Sequence, residues 1–448
     1  MVKKLLIILC LFSLVFVLSA SPVRYVSLKK AKKMALKFNT DVKNAKIDVR
    51  IAKKKIWETT AIGLPQVSAK VEYQDIPNIP TTLIPAKMFD PNAEDGKFME
   101  MKFGTQHNAS LSLTVNQLIF KGGYIVGLQA SKVYLKLSED LLKKSEQDVK
   151  ETIANTYYMI LLAEETEKIL IKSIDNIKKT LYETTELYKS GFLEETDVDQ
   201  IKLSIVSLKN NLSSINRQKN ISYRLLKFQM GISLDEDIKL SETLDMFINP
   251  IIDKRISLDD FKIENYIDYI MLDTQEISKK LLLKNEKSEF LPTISAYFLQ
   301  KSSAMRDEFN FFKKSDDKWF SSTVIGLNIA IPIFDSGLKF ARVGQASLEL
   351  KKARNAKLNA KKGLNVQWEK ARSVFIDELN KIKNTKEGVF LAKRVFDNNR
   401  IKYKKGIVSS MDLIQAHNQY LNAESNYIQN IIAVLNAKTK IDKYLNRL

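Results

Sequence analysis

Apolar positions recur along this chain with two different periods. From Ser27 to Thr60, Leu28, Ala31, Ala35, Leu36, Val42, Ala45, Val49 and Ala52 fall at helical spacing, with lysines around them. Leu64-Pro65 ends that segment, because the residue before a proline is held out of the helical region. From Gln66 the period drops to two. Val67, Ala69, Val71 and Tyr73 alternate with Ser68, Lys70, Glu72 and Gln74, which predicts a half-buried strand over about residues 66–74. Asp75 to Asn108 holds Pro77, Pro80, Pro85 and Pro91 and no steady period, so it predicts a long loop. A second alternating run predicts a strand over about 109–119, closing at Ile119-Phe120-Lys121-Gly122-Gly123.

A helical hairpin over 124–230 follows. Leu128, Leu135, Leu142, Val149 and Ile153 recur near heptad spacing, over a helix on the order of 100 Å long at 1.5 Å per residue. Val198, Ile201, Ile205 and Leu208 carry the seam back toward Gly231. The turn between the arms, 188–197, recurs at 403–412: Tyr188 and Tyr403, Gly191 and Gly406, and Asp197 and Asp412 match without a gap. Each glycine supplies a residue able to take positive φ where a helix stops. Thr196, or Ser409 or Ser410, then offers a side-chain oxygen to cap the next helix.

This repeat divides the chain into a first half, 21–231, an inter-repeat segment, 232–262, expected to be a small equatorial element, and a second half, 263–448. In the second half Leu291-Pro292 stands where Leu64-Pro65 stood. Strands are expected over about 292–300 and 322–333, with a polar loop from Lys301 to Lys318 between them and a helical hairpin over 338–448. The interval between strand hairpin and turn is nearly equal in the two halves, whereas the strand loops differ in length. Paired helices must keep register to bury a shared seam.

Composition sharpens the picture at the start of the chain. Lys3 and Lys4 precede an apolar run, Leu5 to Leu18, and small residues follow, so residues 1–20 read as a secretory signal peptide; an N-terminal membrane anchor is the other reading of that run. The single cysteine, Cys10, lies inside it, so no disulfide framework is expected in the remainder. The formal charge is +19, but the lysines are spread along helix faces without an aromatic stacking platform, which argues for solvated helix surface and against nucleic acid as a partner. After Leu18 no apolar stretch approaches the length of a spanning helix, so a membrane crossing would have to use strands.

Candidate chemistry is sparse. His107 and His417 are the only histidines, with no cysteine or acidic cluster at metal spacing, and Gly122-Gly123 lacks the lysine and hydroxyl pair of a phosphate loop. No nucleophile with a base is apparent. The expectation is a protein without catalytic residues, metal or cofactor, and not an enzyme.

The order helix, strand, strand, long helix, turn, helix, repeated once, resembles the TolC-type outer-membrane efflux family. The marks are Leu64-Pro65 and Leu291-Pro292 before a strand, Ile119-Phe120-Lys121-Gly122-Gly123 and Ile333-Phe334-Asp335-Ser336-Gly337 after one, and the Tyr-x-x-Gly turns followed by Asp197-Val198 or Asp412-Leu413. The resemblance implies a mostly α chain with a β-barrel portion: three copies form a 12-stranded outer-membrane barrel continued by a periplasmic α-helical coiled-coil tunnel. Four short strands in one chain cannot close a barrel, which fits pooling among copies. Phe290, Tyr297, Phe298, Trp319 and Phe320 are candidates for an aromatic girdle or for ordinary strand packing.

The family's periplasmic constriction corresponds to Asp412, with Gln415 at the second level where an acid is usual, and with Asp197 on the first turn. Both aspartates also suit helix N-termini. Tyr188, Gly191, Tyr403 and Gly406 stand where the family meets a periplasmic adaptor protein, tied to an inner-membrane pump of RND, ABC or MFS type. The implied function is a passive trimeric exit duct for efflux or type I secretion, in contact with outer-membrane lipid. The rival reading is a periplasmic or surface coiled-coil scaffold without a pore, for which four alternating strands have no use.

Overall fold

The computed structural model describes residues 24–253, 261–312 and 318–448. The expected signal peptide, 1–20, lies outside the described residues, as do residues 313–317 of the expected polar loop. The chain forms two compact units, each drawing on both halves of the sequence.

The first unit comprises the chain up to Val49, Ser138–Asp273 and Lys357–Leu448. It opens on β1 (Arg24–Val26), which pairs in parallel with β6 (Ile238–Leu240), a contact absent from the sequence reading. The helix expected from Ser27 to Thr60 is broken in two, α1 (Leu28–Phe38) and α2 (Thr40–Ala61). Asn39 makes the break: its Oδ1 accepts from the Asp41 N–H at 2.8 Å, and its Nδ2 donates to the Gln229 carbonyl at 2.9 Å. An asparagine side chain that satisfies backbone groups in this way competes with continuation of the helix. Gly231, at φ 68°, follows the helix that ends at Met230 and lies against this break, where a Cβ would stand 2.4 Å from the Phe38 carbonyl oxygen.

The long helices are α3 (Gly122–Lys189), α4 (Glu195–Met230), α7 (Leu338–Lys404) and α8 (Ser410–Tyr444), with the shorter α5 (Leu244–Asp253) and α6 (Ile267–Ser288) between the two pairs. Within the first unit they enclose two apolar clusters. One gathers Ile153, Tyr157, Leu226, Ile248, Trp368, Phe375 and Leu435. The Tyr157 hydroxyl donates to the Val26 carbonyl at 3.0 Å, which ties β1 to this core. The other gathers Ile174, Ile177, Ile201, Phe396, Tyr403 and Leu413 near the two turns. Each such buried side chain contributes about 1.5–3 kcal/mol relative to exposure. Many lysines lie in short-range helical ion pairs, such as Lys55 with Glu58, Lys202 with Asp199 and Lys393 with Asp397, which solvent screens so that they add little to stability.

The second unit comprises Arg50–Leu137 and Thr274–Ala356. Its centre is an antiparallel sheet in the order β2 (Gln66–Asp75), β5 (His107–Phe120), β7 (Thr293–Arg306), β8 (Phe320–Ala330), with β2 and β8 at the edges. The expected long loop after β2 instead contains a small hairpin, β3 (Thr81–Pro85) with β4 (Phe98–Lys102); its prolines flank the ladder or end it, where they cost no hydrogen bond. Strand β7 also runs into the expected polar loop, because the backbone of Lys301–Arg306 pairs with β5 as far as His107. β8 stops at Ala330, short of the expected end near 333, and Pro332 lacks an N–H for a ladder.

Candidate functional site

Both turns are built alike. At the first, the Phe192 N–H donates to the Leu187 carbonyl at 2.9 Å and the Gly191 N–H to that of Tyr188 at 2.9 Å; at the second, Ile407 reaches Lys402 at 3.0 Å and Gly406 reaches Tyr403 at 2.9 Å. These are paired six-to-one and five-to-two closures around a left-handed residue, with φ 77° at Gly191 and 71° at Gly406. A side chain at either glycine would be strained there.

The caps differ from expectation in part. Ser409 caps α8, its Oγ accepting from the Asp412 N–H at 3.2 Å while the Asp412 carboxylate accepts from the Ser409 N–H at 3.1 Å. The Ser409 hydroxyl and backbone hold the Asp412 carboxyl below the usual carboxylate range. At α4 the cap position is Glu194, and the Asp197 carboxylate accepts from its N–H at 3.2 Å. Thr196 sits two residues past the cap position; its hydroxyl donates to Glu194 Oε2 at 3.1 Å.

Ser410, read in the sequence only as a possible cap, joins the two turns. Its Oγ lies 2.5 Å from Asp197 Oδ1 and 2.7 Å from Gln200 Oε1, both on α4. A hydroxyl donates once, so donation to the carboxylate leaves the Gln200 amide to rotate and donate in return. Behind this contact the Thr184 Oγ and Tyr403 OH are 2.9 Å apart in a buried pair, and Lys404 Nζ donates to Glu183 Oε1 at 2.6 Å. The repeated tyrosines therefore part company: Tyr403 is 3% exposed and Tyr188 is 41% exposed. Asp412 and Gln415 stand exposed on the first two turns of α8, and Asp197 is half-buried against Ser410.

Two turns further along α8, His417 is buried, with Nε2 2.6 Å from Ser173 Oγ on α3 and its ring 4.9 Å from that of Phe396 on α7. Among the described residues its Nδ1 has no hydrogen-bond partner, and burial lowers its pKa to about 4. Between α3, α4 and α8 runs a groove of about 760 Å³ lined by uncharged groups, among them Ser204, Ser207 and Asn211 on α4 and Asn418 and Asn422 on α8. Among the described residues no group of three or more His, Cys, Asp or Glu side chains is placed to hold a metal ion, and no helix is long and apolar enough to cross a membrane.

In the second unit the register sorts the sheet into two faces. Val67, Val115, Phe298 and Ile325 lie in one apolar row; on the same side Val71 and Leu111 form another, which continues on β7 and β8 as Ser302 and Ser321. Lys70, Ser112, Lys301 and Ser322 form a row on the opposite side. The apolar side is bare, with Val71 79% and Ile325 80% exposed. Tyr297 and Phe320 fall on the polar side, so of the girdle candidates only Phe298 shares the apolar one. Tyr297 covers Gly326, where an added Cβ would stand 2.5 Å from its ring. Trp319 joins a cluster near the ends of β2, β5 and β7 with Phe311, Phe309, Tyr73 and His107; the Tyr73 hydroxyl lies 2.9 Å from His107 Nδ1.

Residues 283–447 match the family model for outer membrane efflux proteins. Solved structures similar to this chain include the CmeC outer membrane channel of Campylobacter jejuni, at 18% identity and a TM-score of 0.73 over 94% of this chain and 85% of that one. The outer membrane protein VceC of Vibrio cholerae is similar at 14% identity and 0.69, over 93% of this chain and 95% of that one. The MtrE outer membrane channel of Neisseria gonorrhoeae, in its open state, is similar at 16% identity and 0.67, over 93% and 88%. No curated protein matches the chain.

Proposed function

We propose, from the place of residues 283–447 in the outer membrane efflux protein family, that this chain is one third of a passive exit duct in the outer membrane. The observation that carries the reading is the sheet. Over β2, β5 and the Thr293–Phe298 and Ile325–Ala330 stretches of β7 and β8 it has one apolar and one polar face, and β2 and β8 leave two open edges, an arrangement that suits hydrocarbon outside, water inside and further strands at either side. Three copies would contribute twelve strands, enough to leave a water-filled lumen. Their long helices would continue as a periplasmic tunnel, lined in part by uncharged grooves such as that between α4 and α8.

The two turns are the proposed periplasmic mouth. Asp412 from three copies would form a single acidic ring, with neutral Gln415 at the next level and Asp197 held aside by Ser410. The exposed residues around the turns, Tyr188 and Gly191 with Gly406, are the proposed contact for a periplasmic adaptor, with Tyr403 acting from beneath as packing. An inner-membrane pump of RND, ABC or MFS type would supply the energy, in keeping with a sequence in which Gly122-Gly123 lacks the lysine and hydroxyl pair of a phosphate loop. Purified protein in planar lipid bilayers tests the reading: discrete, wide-pore conductance steps are expected, and a protein that inserts without conducting would rule out the duct.

A further inference from the structure

Resting on the barrel reading above, we propose the register in which copies join: β8 pairs antiparallel with β2 of the next copy, Ile329 opposite Val71 of the partner subunit, and Ile331–Phe334 becomes strand on that edge.

The argument comes from the internal repeat. Setting Leu291-Pro292 on Leu64-Pro65 lays β7 on β2 at an offset of 227, and setting Ile333-Phe334 on Ile119-Phe120 lays β8 on β5 at an offset of 214. Under these two offsets the ladder of the first hairpin reproduces that of the second. Gln66 opposite Asn116 becomes Thr293 opposite Ala330, Val67 opposite Val115 becomes Ile294 opposite Ile329, and Val71 opposite Leu111 becomes Phe298 opposite Ile325; all three are pairs of the second hairpin. The repeat therefore holds at the level of single hydrogen-bonded rungs.

Among the described residues one strand junction joins the repeats, β5 against β7, in which the second strand of one repeat meets the first strand of the other. Its counterpart is β8 against β2 of another copy. Val115 opposite Phe298 then becomes Ile329 opposite the partner's Val71, and Leu113 opposite Gln300 becomes Leu327 opposite the partner's Tyr73. Asn116 opposite Tyr297 becomes Ala330 opposite the partner's Lys70, and Phe120 opposite Ile294, past the bulge, becomes Phe334 opposite the partner's Val67.

Three independent features fit. This register puts Ile329 and Leu327 on the side of the partner's Val71 and Tyr73, and Asn328 and Ala330 on the side of the partner's Glu72 and the partner's Lys70, with Ile325 meeting the partner's Asp75 only at the strand end; any slip by one residue would reverse those sides. Phe120 and Ile294 are half-buried where their strands meet, whereas Phe334 is 86% and Val67 65% exposed where they do not. β5 runs on to Phe120 but β8 stops four residues before the equivalent Phe334; Pro332, which lacks an N–H, matches Leu118 beside the bulge, where a proline is tolerated. Slips by two residues would also keep the faces matched, and the repeat selects among them.

Disulfide trapping separates these registers. Facing residues on neighbouring strands have Cα atoms about 4.5–5.5 Å apart, within disulfide range, while residues two positions off are too distant. In full-length protein in membranes, the pair Ile329→Cys with Val71→Cys should oxidise to covalent multimers that a reductant dissolves. Ile329→Cys with Ala69→Cys, Ile329→Cys with Tyr73→Cys, and each single variant should not. Assembly of every variant is checked by the native mass of reduced protein. Preferential trapping with Ala69→Cys or Tyr73→Cys would overturn the register while leaving the shared barrel in place. No trapping at any of these pairs, with a native mass of one copy, would overturn both.

Discussion

Ser410 Oγ lies 2.5 Å from Asp197 Oδ1, so the two turns of one chain, from opposite halves of the sequence, are tied by a hydrogen bond to a carboxylate. Asp197 is half-exposed and already accepts from the Glu194 N–H, so Ser410→Ala should cost about 1 kcal/mol locally, or roughly fivefold in the opening equilibrium. Amide hydrogen exchange checks this. Faster exchange is expected at both turns, 187–198 and 402–413, and acceleration confined to the second would show that they open separately.

Acid should loosen the same region through His417. Its neutral ring bridges α3 and α8 and rests on Phe396 of α7. The neighbouring charged and titratable groups are Lys172 on α3, Lys393, Asp397 and Arg400 on α7, and Tyr420 and Glu424 on α8. Burial lowers the His417 pKa from 6.5 to about 4, so the open state takes up a proton before the packed state does. The packing is at full strength above pH 6.5 and weakens as pH falls from there toward 4, by about 3 kcal/mol at most. Limited proteolysis at the turns should accelerate over that window, and His417→Gln should flatten the dependence. An unaltered pH profile in the variant would remove His417 from this role.

What could be read from the sequence was whatever local geometry enforces. Gly191 and Gly406 announce their turns because few other residues accept positive φ. The alternation at Val67–Tyr73 announces a strand with two unlike faces. Asn39 was hidden, because its break depends on the Gln229 carbonyl, 190 positions away. The far half of β7 was hidden because Lys301, Ser302 and Ser303 pair through backbone groups that carry no side-chain signal. Ser410 is adjacent to a true cap and of the same chemistry, so only the fold shows that it turns toward Asp197. Likewise the repeat gives Tyr188 and Tyr403 one identity, and packing gives them two environments.

Gly326 and Tyr297 should be coupled. The ring occupies the space a Cβ would take, so Gly326→Ala must push it off the sheet, at a cost of about 1–3 kcal/mol. The double variant with Tyr297→Ala should recover part of that loss, since the clash has gone. The temperature at which the assembled protein dissociates in detergent reports both effects. Strictly additive losses would mean that the ring has another resting place at no cost.

Asp412 caps α8 and, in the proposed duct, rings its mouth; two substitutions divide the observed role from the proposed one. Its carboxylate accepts from the Ser409 N–H and hydroxyl, which holds it ionised to lower pH than an ordinary aspartate. The sign follows: the cap is intact above the usual carboxylate range and weakens as pH falls through its lowered value. Asp412→Asn keeps an acceptor at the cap and removes the charge, whereas Asp412→Ala removes both. In bilayer recordings the two variants should lose cation preference equally if the proposed ring exists, because three carboxylates near an axis would attract cations and an amide would not. In exchange measurements only Asp412→Ala should unprotect the first turn of α8, because the Ser409 N–H then loses its acceptor. A reversal potential unchanged in both variants would leave Asp412 as a helix cap and place the mouth of the duct elsewhere.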